Sequence, residues 1–207
     1  MYSIIIPCKN EEASIVQLIH EVESVMNELN HPWELICIDD GSTDETQALL
    51  RQLKKQKPYL RLLCFKKNFG QSSGFAAGFT AARGEWVITM DGDGQNDPKD
   101  IPSLLCQQEQ FDLVCGVRQK RKDSCIKRWT SRIANAIRGR LCADGMQDTG
   151  CSLKLMRRSC LETIKMYQGM HRFLPALFVI EGFRIGQVPV SHRPRNHGKS
   201  HYNFFNR

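Results

Sequence analysis

The sequence predicts an α/β domain, an open and mainly parallel sheet flanked by helices, and three observations predict it. Short β-branched runs alternate with stretches of helical periodicity through the first half of the chain. One run, Trp86–Met90, is apolar without interruption, as a strand covered on both faces must be. Acidic residues stand where two of these runs end.

Taken in order, Tyr2–Pro7 reads as the first strand. Ile15, Ile19, Val22, Met26 and Leu29 form the buried stripe of a helix behind it. Asn10, Glu11 and Glu12 stand where an N-cap and an acidic first turn belong. His31-Pro32 closes that unit and Trp33–Ile38 is the second strand. Ser42-Thr43-Asp44-Glu45 predicts a capping box for a second helix that turns Leu49 and Leu53 inward. Leu60–Phe65 is a third strand, Gly70–Ala82 a helix rich in small residues, Trp86–Met90 the fourth strand and Phe111–Val117 the fifth. Beyond Arg118 the rhythm breaks into a basic helix, a loop rich in Gly and Asp at 144–150, a mixed segment and a strand-like Arg184–Val190.

A chain of 207 residues suits one domain with a full core. No run approaches the roughly 20 apolar residues that cross a bilayer, and Met1-Tyr2-Ser3-Ile4 opens on a strand pattern, so no signal peptide is expected. Nine cysteines occur without a C-x-x-C pair, and Cys8, Cys37, Cys64 and Cys115 lie in or beside apolar runs, which favours reduced thiols over zinc. The net charge of +7 is concentrated in Arg118–Arg140 and Arg184–Arg207, pointing to a phosphate-bearing substrate or an anionic membrane surface. A nucleic-acid-binding protein would need a recognisable module or interleaved aromatic and basic strands, and neither is present.

Ligands of parallel α/β sheets bind beyond the carboxyl ends of the strands. Strand two ends in Asp39-Asp40-Gly41-Ser42 and strand four in Asp91-Gly92-Asp93-Gly94-Gln95. Asp91 and Asp93, one residue apart, suit a hard cation such as Mg2+ or Mn2+, with Gln95 as a neutral oxygen donor. An EF-hand is excluded because Asn96 and Pro102 occupy its Gly and Glu positions, and a P-loop because Arg193 stands at its first Gly.

These stretches, with Ile4–Glu12, Asn68-Phe69-Gly70-Gln71, Gly116-Val117-Arg118, Asp148-Thr149-Gly150-Cys151 with Lys154, His171–Pro175 and Arg193–Tyr202, resemble in order the family 2 glycosyltransferases of the GT-A fold. The branch they are most similar to is the dolichol- and polyprenyl-phosphate sugar transferases of mannosyl type. The resemblance implies one glycosyltransferase domain over 1–207, with a nucleotide-sugar half at 1–117 and an acceptor half at 118–207. It implies inverting, metal-dependent transfer from a UDP- or GDP-linked sugar to a polyprenyl or dolichyl phosphate. Pro7, Lys9, Glu11, Asp39 and Asp40 would meet the donor's base and ribose. Asp91, Gly92 and Asp93, with Gln95, would serve the metal and diphosphate. Arg118, with Lys127 or Arg128 and Ser131, would take phosphate, and Arg195 and Lys199 would belong to a flap over the donor. Lys9 replaces a common Tyr of the family, and Gly92 and Gly94 replace Ala and Leu.

A phosphate acceptor is an anion and needs no general base; a hydroxyl acceptor on a saccharide or glycolipid, the alternative reading, would need one, for which Asp148 is the candidate. In Ser124–Leu141 an apolar stripe of Ile126, Trp129, Ile133, Ile137 and Leu141 faces away from Lys127, Arg128, Arg132 and Arg138. Such a helix lies in an anionic membrane interface or packs on the sheet with its basic face solvated, and the pattern admits both. Many relatives carry C-terminal transmembrane helices. The expectation is therefore peripheral attachment at the cytoplasmic, inner face of a membrane, or a chain that is a piece of a longer one.

Overall fold

The computed structural model describes residues 1–119 and 145–194. Its strands are β1 (Tyr2–Cys8), β2 (Trp33–Asp39), β3 (Leu60–Cys64), β4 (Trp86–Thr89), β5 (Leu113–Arg118), β6 (Lys154–Arg157) and β7 (Ile185–Val190). The helices are α1 (Ile15–Glu28), α2 (Thr46–Gln56), α3 (Gln71–Ala81), α4 (Ile101–Leu105), α5 (Arg158–Leu161) and α6 (Leu174–Ile180), with 3-10 turns at Pro98–Asp100 and Met170–Phe173. They build one sheet in the order β3-β2-β1-β4-β6-β5-β7. β3, β2, β1 and β4 run parallel, β5 and β7 pair in parallel, and β6 lies antiparallel to both β4 and β5.

Alternate residues of each central strand enter opposite cores. Ile4, Ile6, Leu35, Cys37 and Ile88 join Ile15, Ile19, Val22 and Met26 of α1, Leu50 and Leu53 of α2 and Leu104 of α4. Ile5, Ile36, Ile38 and Val87 join Phe75 of α3 and Leu174 and Phe178 of α6. Helices on both faces explain why these strands are apolar at every position.

The α3 face is the closest packed. A Cβ on Gly74 would stand 2.9 Å from Cβ of Pro7, and one on Gly78 would overlap Cγ2 of Ile5. The small residues of this helix are thus what lets its backbone rest on β1.

Four differences from the sequence expectation have physical causes. Residues Asn10–Glu12 do not cap α1; Ser14 is its N-cap and no acid lies in its first turn. Their polar groups serve the neighbouring loop instead, where Thr43 N–H donates to Asn10 Oδ1 (2.8 Å) and Glu45 N–H to Glu12 Oε2 (2.9 Å). The predicted capping box is shifted: α2 begins at Thr46, whose N–H bonds Asp44 Oδ1 at 3.0 Å. Leu50, rather than Leu49, joins Leu53 in facing the core from that helix. Finally, the mixed segment after 150 contains β6, too short for periodicity to reveal and placed in the sheet by its neighbours.

At the amino edge, Glu34 ties the parallel strands together. Its Oε1 accepts from Ser3 Oγ and Arg83 N–H, both at 2.7 Å, and its Oε2 from Arg61 Nη1 at 2.7 Å. Burial alone would raise the Glu34 pKa, but the hydrogen bonds of Arg61, Ser3 and Arg83 hold it below the ordinary value. A folded-state pKa below the unfolded one, about 4.3, gives stability that is complete above that pH and is lost as pH falls through the lower value.

Two predictions follow from this packing. Gly78→Ala should lower unfolding free energy by about 1–3 kcal/mol, measured by urea denaturation, because overlap with Ile5 outweighs the helix propensity of Ala. Glu34→Gln should cost about 2 kcal/mol at pH 7, and its gap from the parent protein should shrink once the pH is taken below about 4.

Candidate functional site

The parallel strands end at one edge with Cys8, Asp39, Cys64 and Thr89, and the loops that follow are bonded to each other. Asn10 N–H donates to Ser42 Oγ (3.0 Å) and Glu11 N–H to Thr46 Oγ1 (2.8 Å). Ser14 Oγ donates to the Gly92 carbonyl at 2.9 Å, joining the first loop to the Asp91–Gln95 turn.

Asp39 is fully buried, and its carboxylate accepts from Ser42 N–H (3.2 Å) and Gln47 Nε2 (2.8 Å). Asp40, also buried, accepts from Phe69 N–H at 2.7 Å and Gly70 N–H at 2.9 Å. Gly70 takes φ of 89°, a left-handed value that glycine accepts at little cost, and α3 starts at the next residue. These bonds shape an open cleft of about 810 Å3 lined by Lys9, Asn10, Ser42, Gln47, Lys67 and Asn68 among others. Of the residues expected at a base and ribose, Lys9 lines this cleft, Asp39 holds Ser42 and Gln47 of its wall, and Asp40 holds the amides of Phe69 and Gly70, next along the chain from Asn68. Pro7 lies under Gly74, and Glu11 Oε2 accepts from Ser14 Oγ at 3.2 Å.

Asp91 and Asp93 follow β4 directly. Gln71 Nε2, at the start of α3, donates to Asp91 Oδ1 at 2.5 Å, and Asn96 Oδ1 accepts from the Asp91 N–H at 3.1 Å. Asp93 Oδ1 accepts from Gln95 N–H at 3.1 Å, in a turn whose Gly94 has φ of 72°. Gly92 presses on β1, since a Cβ there would be 2.9 Å from Cβ of Cys8. Enclosure by protein, and then the charge of Asp93, push the Asp91 carboxyl up to about 6. Two hard oxygen donors that repel each other fit a divalent cation which completes its shell with water and phosphate oxygens. Among the described residues no group of three or more His, Cys, Asp or Glu is arranged to hold a metal unaided. The Gln95 amide reaches toward the Arg193 carbonyl, at 3.5 Å.

Arg118 closes β5 in a forked pair with Asp148: Nε to Oδ2 is 2.7 Å and Nη2 to Oδ1 is 2.8 Å. Burial would lower the Arg118 pKa, but the bonds and charge of Asp148 raise it above the ordinary value. Asp148 Oδ1 also accepts from Gly150 N–H at 3.1 Å. An aspartate held this way is an anchor for Arg118 and for the loop into β6.

Beside Asp91 lies a smaller cavity of about 110 Å3, bounded by Gln71, Phe75, Ser152, Lys154, His171 and Arg172 among others. His171 Nδ1 is 2.6 Å from Ser72 Oγ, which accepts from Gly169 N–H at 2.9 Å. Burial, then Arg172 and Lys154, lower the His171 pKa to about 4. Ser152 had no place in the sequence reading, and Gln71 and Lys154 entered it only as parts of motifs. The small-residue pattern of α3 adds that its first turn sits close to the sheet edge.

Arg193 begins the last segment and is fastened beside this site. Its Nη2 meets Asp97 Oδ1 at 2.7 Å, its Nη1 meets Glu21 Oε2 at 2.5 Å, and its N–H donates to the Gln95 carbonyl at 2.9 Å. Lys127, Arg128, Ser131, Arg195 and Lys199, with the basic helix and the flap, lie outside the described residues.

Residues 3–165 match the family model described as glycosyl transferase family 2. The chain is 42% identical over 206 residues to dodecaprenyl-phosphate galacturonate synthase of Rhizobium johnstonii, covering 97% of this chain and 61% of that protein. It is 36% identical over 203 residues to undecaprenyl-phosphate 4-deoxy-4-formamido-L-arabinose transferase of Pseudomonas savastanoi pv. phaseolicola, covering 97% and 60%. It therefore spans about three fifths of the length of these curated relatives. Among solved structures, glucosyl-3-phosphoglycerate synthase of Mycobacterium tuberculosis, in complex with Mn2+, UDP and glucosyl-3-phosphoglycerate, superposes with a TM-score of 0.73 at 21% identity, covering 96% of this chain and 73% of that one. That likeness shows the fold, which is GT-A.

The buried imidazole supplies a prediction. Its resonances in a two-dimensional NMR titration should show no transition between pH 6 and 8 and a midpoint near pH 4. Because the unfolded imidazole titrates near about 6.5, His171 contributes stability that is complete above that value and is withdrawn on acidification toward pH 4.

Proposed function

Since this chain belongs to glycosyl transferase family 2, we propose that it transfers a sugar from a nucleotide-sugar to the phosphate of a polyprenyl lipid, with a divalent cation held by Asp91 and Asp93. The observation that carries this reading is the placement of those two carboxylates at the end of β4, beside a small cavity of about 110 Å3. The open cleft at the ends of β1, β2 and β3, along the same edge, suits a nucleoside, and the smaller cavity suits the sugar.

When bound, the cation neutralises charge that develops on the departing diphosphate. An oxygen of the lipid phosphate forms a bond to the anomeric carbon while the bond from that carbon to the diphosphate oxygen breaks. The nucleoside diphosphate leaves with the electron pair, and the configuration inverts. Arg118, fixed by Asp148, offers its remaining N–H groups to a phosphate. Gln71 orients Asp91.

A phosphate acceptor is favoured over a hydroxyl because Asp148, the expected base, is occupied by Arg118. The names of the relatives, which specify dodecaprenyl and undecaprenyl phosphate, support the same acceptor class. Those names give galacturonate and 4-deoxy-4-formamido-L-arabinose, so the mannosyl-type expectation is withdrawn. Mn2+ and UDP in the Mycobacterium tuberculosis synthase agree with the cation and leaving group proposed. Among the described residues no helix is long and apolar enough to cross a membrane. Peripheral work at the cytoplasmic face is part of the proposal, and Arg195 and Lys199, following the fastened Arg193, are its candidate flap residues.

The test is release of nucleoside diphosphate from UDP- and GDP-sugars with undecaprenyl phosphate in detergent. Lipid-dependent release should vanish with EDTA and return with Mn2+ or Mg2+. In Asp93→Ala it should fall by roughly a hundredfold or more. Donor turnover that ignores the lipid would instead establish a different acceptor.

A further inference from the structure

The hydrogen bond between Ser72 and His171 fixes where the imidazole proton sits. Ser72, in the first turn of α3, is 4% exposed, and its Oγ accepts from Gly169 N–H at 2.9 Å. A hydroxyl has one proton to give, and among the described residues the acceptor that Ser72 reaches is His171 Nδ1, at 2.6 Å. With the ring proton on Nδ1, Ser72 would receive two N–H donors and leave its own buried proton without a partner, at the cost of a hydrogen bond. The hydroxyl therefore donates, Nδ1 accepts, and the ring proton stands on Nε2.

His171 lines the smaller cavity beside Asp91, and with Nδ1 committed to Ser72 the polar atom left to face that space is Nε2. The ring is steadied by Phe75, itself 3% exposed, with the two centroids 6.0 Å apart. Burial, then the charges of Arg172 and Lys154, lower the His171 pKa to about 4, so the imidazole is neutral at pH 7. A neutral ring with its proton on Nε2 has no lone pair to turn toward the cavity. It is neither a base nor a ligand for a cation there; it is a hydrogen-bond donor.

Resting on the transferase reading above, we infer that Ser72 fixes His171 as a neutral N–H donor whose Nε2 binds a hydroxyl oxygen of the donor's sugar in this cavity. A sugar hydroxyl and a diphosphate both offer oxygen acceptors. The diphosphate is met in the proposed reaction by the cation and by Arg118, whereas a hydroxyl is neutral and pairs with a neutral donor without stranding a charge. His171 touches the substrate; Ser72 acts through it and is a positioning residue. Sites that hydrogen-bond a substrate hydroxyl discriminate strongly, because a ligand lacking it leaves their own polar groups unpaired.

The experiment has two parts. In the parent protein at pH 7, a long-range proton–nitrogen NMR correlation of the His171 ring should show its proton on Nε2; a proton on Nδ1 overturns the inference. Binding of UDP and GDP, and of their glucose, galactose and glucuronate conjugates, is then measured with Mn2+ by calorimetry. His171→Phe, which keeps the ring against Phe75, should weaken the conjugates of the preferred nucleotide by about fivefold or more relative to that nucleotide alone. His171→Gln, which keeps an N–H donor, should recover most of that loss. Ser72→Ala should lower the same ratio by less and give a mixture of the two tautomers. An unchanged ratio in His171→Phe overturns the inference, and an equal loss for nucleotide and conjugates overturns it by assigning the imidazole to the diphosphate. A parent protein that binds nucleotide but none of the conjugates removes this inference alone, whereas no binding of any nucleotide with metal removes the transferase reading beneath it as well.

Discussion

The close seat of the α3 backbone on β1 is the constraint on which the site depends. Gly74 and Gly78 let the helix settle directly onto the side chains of Pro7 and Ile5. Its start is fixed by Asp40, which binds the amides of Phe69 and Gly70 and thereby sets where the helix can begin. Depth and starting point together bring Gln71 to Asp91 and Ser72 to His171. A helix one methyl group farther out would carry both partners away from the edge of the sheet, and interiors packed to crystal density do not absorb such a shift.

Charge along that edge is divided between construction and chemistry. Asp39, Asp40 and Asp148 are satisfied by protein donors and hold loops in place. Asp91 and Asp93 are left close enough for one to raise the pKa of the other, a state that a cation relieves. The positive groups divide in the same way: Arg61 and Arg193 are fastened to carboxylates far along the sequence, while Lys154 is buried against the Cys151 carbonyl within electrostatic reach of Asp91. Residues of one chemical type thus take opposite roles according to what the fold places beside them.

The first four strands and three helices were legible because each carries its own period and each parallel strand is covered on both sides. Asp91 and Asp93 were legible for the same reason, since the end of an apolar run marks the sheet edge where ligands bind. Asp39 and Asp40 show where this logic stops. Their position at that edge was correctly read, but which hydrogen bonds they would accept depends on Gln47, Phe69 and Gly70, and no local pattern announces those partners. The role of Asn10 and Glu12 was misread because capping is a short-range rule, and here it lost to bonds with a loop more than 30 residues away. β6 was invisible because four residues are too few for a period, and its direction comes wholly from the edges of β4 and β5.

That antiparallel strand also sets an order of assembly. Residues 2–89 hold β1 to β4, which pair with one another, so this half of the sheet has its partners early in synthesis. The outer edge of β4 then waits, its amides and carbonyls open, until residues 154–157 leave the ribosome. The walls of the smaller cavity arrive on later stretches of nascent chain, at 149–154 and 171–174. A chain arrested before that point has the open cleft and the Asp91 and Asp93 carboxylates but an unpaired strand edge, the kind of surface that aggregates. Completing the sheet and walling the smaller cavity therefore go together.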